Sequence, residues 1–192
     1  MRNHRSLHAC YFSLAVSLLF PLANDAFAAE TADAWQTPAI AGYGKIHALG
    51  EHDKTYMPSP HTDAKLLFEI TDAIAAPQQV HAALDRVARS INLYVADGVP
   101  LDHINCVLML GRDAVAVALD DQRYRARFGV ANPNLDLLHK LSAAGVKIVV
   151  SEQALADQQW NEHDLAPQAT VALSSLTAVA AMKQNGYSVM PL

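Results

Sequence analysis

From Ala64 onward the apolar positions alternate between two rhythms. Lys65 to Thr71 is apolar over most of its length and strand-sized. Val80, Leu84, Val87, Ile91 and Val95 then recur at spacings of three and four, which lines one face of a helix. Pro77 fits the first turn of that helix, where a missing N–H costs nothing, and Gly98 fits its end. Ile104 to Leu110 is a continuous apolar run broken only by Asn105, as a strand buried on both faces requires. Gly111 to Asp120 predicts a helix, and Arg123 to Phe128 a short charged one. Asn132-Pro133 supplies a cap and a first-turn proline for a helix carrying Leu135, Leu138 and Leu141, which Gly145 stops. Val146 to Val150 predicts a third strand, Glu152 to Gln159 a short helix, and Thr170 to Leu173 a fourth strand. Ser174 to Gln184 predicts a last helix, and Tyr187 to Met190 a last strand.

Strands separated by helices of this length imply right-handed crossovers and a parallel sheet. The expected fold is α/β: a three-layer α/β/α, flavodoxin-like sandwich with a mostly parallel sheet. In such folds the ligand crevice lies beyond the carboxyl ends of the strands. That places Thr71, Gly111, Arg112, Ser151 and Gln153 at the candidate crevice, with Ser174 and Ser175 beside them.

The residues ahead of the sheet divide in two. Arg2, His4 and Arg5 precede an apolar run from Ala9 to Leu22, and Ala26-Phe27-Ala28 has the small–x–small form of a cleavage site. Residues 1–28 are expected to be a signal peptide cut after Ala28, giving a periplasmic protein with no membrane segment in its mature form. The apolar run is shorter than the roughly 20 residues a span needs. Residues 29–63 carry Pro38, Pro58, Pro60, Gly42, Gly44 and Gly50 without a sustained period. Trp35, Tyr43 and Tyr56 are spaced as anchors for an extended lead-in docked on a domain at 64–192.

Cleavage would remove Arg2, Arg5 and Asp25 and move the formal net charge from −5 to −6. A nucleic-acid partner, which needs a concentrated basic face, is not expected. It would also remove Cys10 and leave Cys106 as the single thiol, so no intramolecular disulfide can form in the mature chain.

The order Asn92, Gly98-Val99-Pro100, a strand ending at Gly111, Asn132-Pro133, Leu141, Gly145-Val146 and a strand into Ser151-Glu152-Gln153 resembles the DsrE/DsrF-like family, in its exported, periplasmic branch. Trp35, Pro38, Ile40, Gly42-Tyr43-Gly44 and Gly186-Tyr187 fit the same branch. The resemblance implies a homo-oligomer, trimeric or hexameric, and a link to sulfur metabolism in which a cysteine persulfide passes sulfur to a relay partner. It also implies a Cys-Gly-Gln-like turn after the third strand and His-Gly after the second; here the residues are Ser151-Glu152-Gln153 and Leu110-Gly111. A serine hydroxyl cannot hold a persulfide, and it needs a base to become a nucleophile. The expectation is a non-catalytic or weakly active protein that binds a small ligand or a partner. The alternatives are a carrier that uses Cys106 and an oligomeric interaction module without small-molecule chemistry.

Each candidate has a plainer reading. Cys106 sits in mid-strand, where a free cysteine behaves as a small hydrophobe. Ser151 before Glu152 is placed to cap a helix, and no Gly-x-Ser-x-Gly elbow surrounds it. Gly111-Arg112-Asp113 could hold an anion at a helix start, although one glycine is no phosphate loop. Arg123, Arg125 and Arg127 read as a solvated face balanced by Asp120 and Asp121. His47, His52, His61, His81, His103, His139 and His163, with Glu51, Asp53 and Asp63, show no metal-ligand spacing, and no motif requires a metal or cofactor.

Overall fold

The computed structural model describes residues 35–47, 50 and 54–192; the signal-peptide reading falls outside them, as do Glu51, His52 and Asp53. A two-residue pairing, β1 (Trp35–Gln36) with β2 (Ile46–His47), opens the described chain. It is followed by β3 (Ala64–Ile70), α1 (Ala82–Ala96), β4 (Ile104–Leu110) and a 3-10 helix at Arg112–Ala118. Then come α2 (Asp121–Phe128), α3 (Leu135–Ala143), β5 (Lys147–Ser151), α4 (Glu152–Asp157), β6 (Ala169–Ala172), α5 (Ser175–Gln184) and β7 (Ser188–Met190). The main sheet has five strands in the order β6-β5-β4-β3-β7, and every pairing in it is parallel. This is the expected α/β fold, a flavodoxin-like sandwich. Among the described residues no helix is long and apolar enough to cross a membrane.

The two faces of the sheet are covered unequally. Leu66, Phe68, Ile70, Cys106, Leu108, Leu110, Ile148 and Val150 point to one side. There they meet Leu84, Val87 and Ile91 of α1, Leu137, Leu138 and Leu141 of α3, the 3-10 helix, Tyr124 of α2 and Leu155 of α4. Leu67, Val107, Met109 and Val149 point to the other side and meet α5 through Ala178, Val179 and Met182.

Two element starts differ from those the sequence predicts. α1 begins at Ala82, not near Pro77. His81 is held extended, and its N–H donates to Asn134 Oδ1 at 2.8 Å, so the helix cannot begin earlier. Pro77 sits in the preceding turn, where its carbonyl accepts from the Tyr124 hydroxyl. α3 begins two residues after Pro133 because Asn132 is not its cap. The Asn132 amide instead donates to the Val117 and Leu119 carbonyls, and its oxygen accepts from the N–H and side chain of Asn134. The helix expected from Gly111 to Asp120 is present as a 3-10 helix over Arg112–Ala118.

The lead-in is held by polar residues on one stripe of α1. The Asn92 oxygen accepts from the N–H of Ala39 and of Ile40, and its amide donates to the carbonyls of Tyr43 and Gly44. Asp85 accepts from the Gly44 N–H, and Arg89 donates to the Lys45 carbonyl. Gly44 lies so close that a Cβ there would fall 2.1 Å from the Arg89 nitrogen, and its φ of +58° also favours glycine. Ile40 and Ile46 are buried as a result. Tyr43 docks on its own chain, its hydroxyl donating to Asp136 at 2.8 Å. Tyr56 does not anchor: it is 87% exposed.

Asn92 is fully buried and satisfies four backbone groups, so its loss strands them away from water. Asn92→Ala should cost about 3 kcal/mol in urea unfolding and expose residues 39–46 to protease. An unchanged urea midpoint would show that the lead-in does not depend on this amide.

Candidate functional site

Successive strands step outward from β3 to β6, and the chain then crosses back over the sheet to β7. The helix after β5 packs on one face and the helix after β6 on the other. The point where crossovers diverge, and where a ligand crevice is expected, therefore lies between the ends of β5 and β6, at Ser151 and Ser174-Ser175.

That point is closed by the chain itself. Ser151 is 2% exposed. Its hydroxyl oxygen accepts from the Ala154 N–H at 3.4 Å, capping α4, and from the Ser175 N–H at 3.3 Å, at the start of α5. The Gln153 N–H donates to the Leu173 carbonyl, adding a second tie between the same two segments. The Ser175 side chain fills the space beside Gly111, where a Cβ would fall 2.9 Å from its oxygen, with Thr71 on the far side. Thus Thr71, Gly111, Ser151 and Ser175 meet, but as packed structure. Arg112 and Gln153 are exposed at the rim. Among the described residues no base is bonded to the Ser151 hydroxyl, so none of them activates it as a nucleophile.

Cys106 lies on the fully covered face of the sheet, 2% exposed. Burial pushes its thiol up to about 12, because an ionised sulfur there would lose its hydration without gaining a charge partner. The thiolate needed for sulfur transfer is thus disfavoured.

The arginines of α2 have distinct partners. Arg123 pairs with Asp164, Arg125 pairs with Asp121 at 2.7 Å, and Asp120 caps the helix through the Arg123 N–H. Arg127 has no ion pair among the described residues; it lines an open cleft of 250 Å³ with Ala73, Ile74, Asp113, Ala116, Phe128, Gln158 and Trp160. The cleft sits at the carboxyl end of the sheet, beside the loops that follow β3 and β4. Gln158 donates to Asp113 at 3.1 Å across the gap between α4 and the 3-10 helix. In the sequence Arg127 reads as a solvated charge, and Ile74, Phe128, Gln158 and Trp160 belong to no motif. The signal available was Trp160, a large aromatic in a polar stretch after a short helix.

On the other face, a groove of 420 Å³ runs beside α5 over Leu67, Val107, Met109 and Val149. Leu173, Leu176 and Val189 are exposed at 64%, 83% and 46%. Among the described residues, no three His, Cys, Asp or Glu converge on a common point as metal ligands would.

Raising the thiol's proton affinity favours the folded state with Cys106 protonated. That contribution is present below the thiol's ordinary range and is lost as pH rises towards 12. Native Cys106 should resist a disulfide reagent at pH 8 and react fully in denaturant, as read by peptide mapping. The stability advantage of the native protein over Cys106→Ala should shrink above about pH 9. Rapid native labelling would show that the thiol is accessible.

The sequence profile of the DsrE/DsrF-like family matches residues 64–192, from the first residue of β3 to the end of the chain. A solved structure of a protein of unknown function from Methanobacterium thermoautotrophicum is similar at 15% identity and a TM-score of 0.49. That similarity covers 67% of this chain and 98% of the other. No curated protein matches the chain.

Proposed function

The chain belongs to the DsrE/DsrF-like family, and on that premise we propose that it is an exported protein of sulfur metabolism that binds a small ligand or a partner without carrying persulfide. The observation that supports this most directly is the buried Ser151 hydroxyl, which accepts from two helix N-termini at the end of β5. A group engaged in this way stabilises the junction of α4 and α5. It offers neither a sulfur atom nor an activated oxygen. The alternative of a carrier with its thiol moved to position 106 needs an exposed, acidified cysteine, and Cys106 is buried with its proton held more tightly. Export rests on the charged start, the apolar run and the Ala26-Phe27-Ala28 pattern.

Protein recovered from the periplasm and incubated with a sulfane-sulfur donor should show an intact mass beginning at Ala29 and no added sulfur. A stoichiometric persulfide on Cys106 would overturn the binding-protein reading in favour of a carrier.

A homo-oligomer forms part of the same proposal, through the α5 face. The lead-in is occupied with its own α1 and α3 through Asn92 and Tyr43. Leu173, Leu176 and Val189 instead expose apolar area around a helix that leaves part of the sheet open. Light scattering should find a trimer or hexamer, and Leu176→Glu should shift it towards smaller species without unfolding. A monodisperse monomer at working concentration counts against assembly.

A further inference from the structure

The functional reading leaves open what the ligand is, and the open cleft at the sheet's carboxyl end narrows it. Resting on that reading, we propose that this cleft binds a small dipolar molecule of the amino-acid type, with one anionic and one cationic group on a short apolar body.

The charges carry the argument. Asp113 and Arg127 line one cleft but do not pair with each other. Elsewhere on α2 the guanidinium groups are already satisfied: Arg123 by Asp164 and Arg125 by Asp121. Arg127, one turn beyond Arg123, has no carboxylate partner among the described residues. Its guanidinium instead lies 5.4 Å from the centre of the Phe128 ring. A guanidinium so placed presents a planar fork suited to a carboxylate. Asp113 would repel a simple anion, and Arg127 a simple cation. A ligand carrying both charges satisfies both residues.

The remaining groups fit the same class. Gln158 holds the Asp113 carboxylate from one side, leaving its other lone pairs for an ammonium donor. Ile74, Phe128 and Trp160 provide apolar walls for a short side chain. A volume of 250 Å³ lies below the range of sites for drug-sized molecules, so the ligand is metabolite-sized.

Backbone conformation marks the same place. Arg112 and Gln159 are the only non-glycine residues with positive φ among those described, at 49° and 60°. One adjoins Asp113 and the other adjoins Gln158, the two residues bonded across the cleft. Gln159 ends α4 as its left-handed C′ residue, with the Trp160 N–H returning to the Leu155 carbonyl, which fixes where Trp160 stands. Arg112, next to Asp113, has no such helix-ending role and holds the strained conformation at the cleft.

The test is an NMR titration of the whole protein, following the Trp160 indole N–H, with glycine, L-leucine, L-methionine and L-phenylalanine. At least one should shift the signal saturably. The best binder should lose tenfold or more in affinity with Arg127→Gln, and likewise with Asp113→Asn. Both residues are exposed, so the variants should keep the native melting temperature. Analogues of the best binder lacking either the carboxylate or the ammonium should bind tenfold more weakly. No saturable shift with any of the four, equal binding by a singly charged analogue, or full affinity in both variants would overturn the assignment. With Cys106 unmodified by sulfane sulfur, those results would sink the ligand class alone; a persulfide on Cys106 would sink the broader reading.

Discussion

An all-parallel sheet must be covered on both faces, because its strands are apolar on both. This chain meets that demand unequally. One face receives α1, the 3-10 helix, α2, α3 and α4, and the other receives α5. The consequences reach every candidate site. Cys106 falls on the fully covered face, where burial holds its proton. The thinly covered face keeps a groove beside α5 and exposed leucines around it. The change of face between α4 and α5 brings two helix starts together at the end of β5, and a buried polar atom is needed where they meet.

The residues that look most chemical are used to satisfy buried backbone. Ser151 accepts from the starts of α4 and α5. Asn92 joins the lead-in to α1, and Asn132 with Asn134 joins the loop before α3 to the 3-10 helix and to His81. A buried N–H or carbonyl left without a partner is costly, so each of these side chains has a structural reason to be where it is. The strand-end cleft differs in kind. Its acid, guanidinium, amide and indole surround empty space, and Arg112 beside Asp113 holds a positive φ.

Much of the fold was legible in the residues. The strand Ile104–Leu110 and the helix ended by Gly98 follow directly from apolar run length and from glycine's tolerance of positive φ. The starts of α1 and α3 were misread because Pro77 and Asn132-Pro133 are good local signals overruled by distant hydrogen bonds, from His81 to Asn134 and from Asn132 to Val117 and Leu119. Local propensity cannot report a partner tens of residues away. For the site, the strand-end residues could be named in advance, but their being packed shut could not. Neither could the open space one loop away, because it forms between segments that are separate in sequence.

The sequence by itself determined the layered α/β architecture, the family, and the serine where a cysteine was expected, since these depend on residue type and periodicity. The tertiary structure alone decided that Ser151 is a buried acceptor, that Cys106 is sealed with its thiol pushed up, and that Arg127 and Asp113 line one cleft without pairing. The reason is physical: reactivity and recognition depend on solvent access and on which charges converge, and both arise only when distant segments pack together.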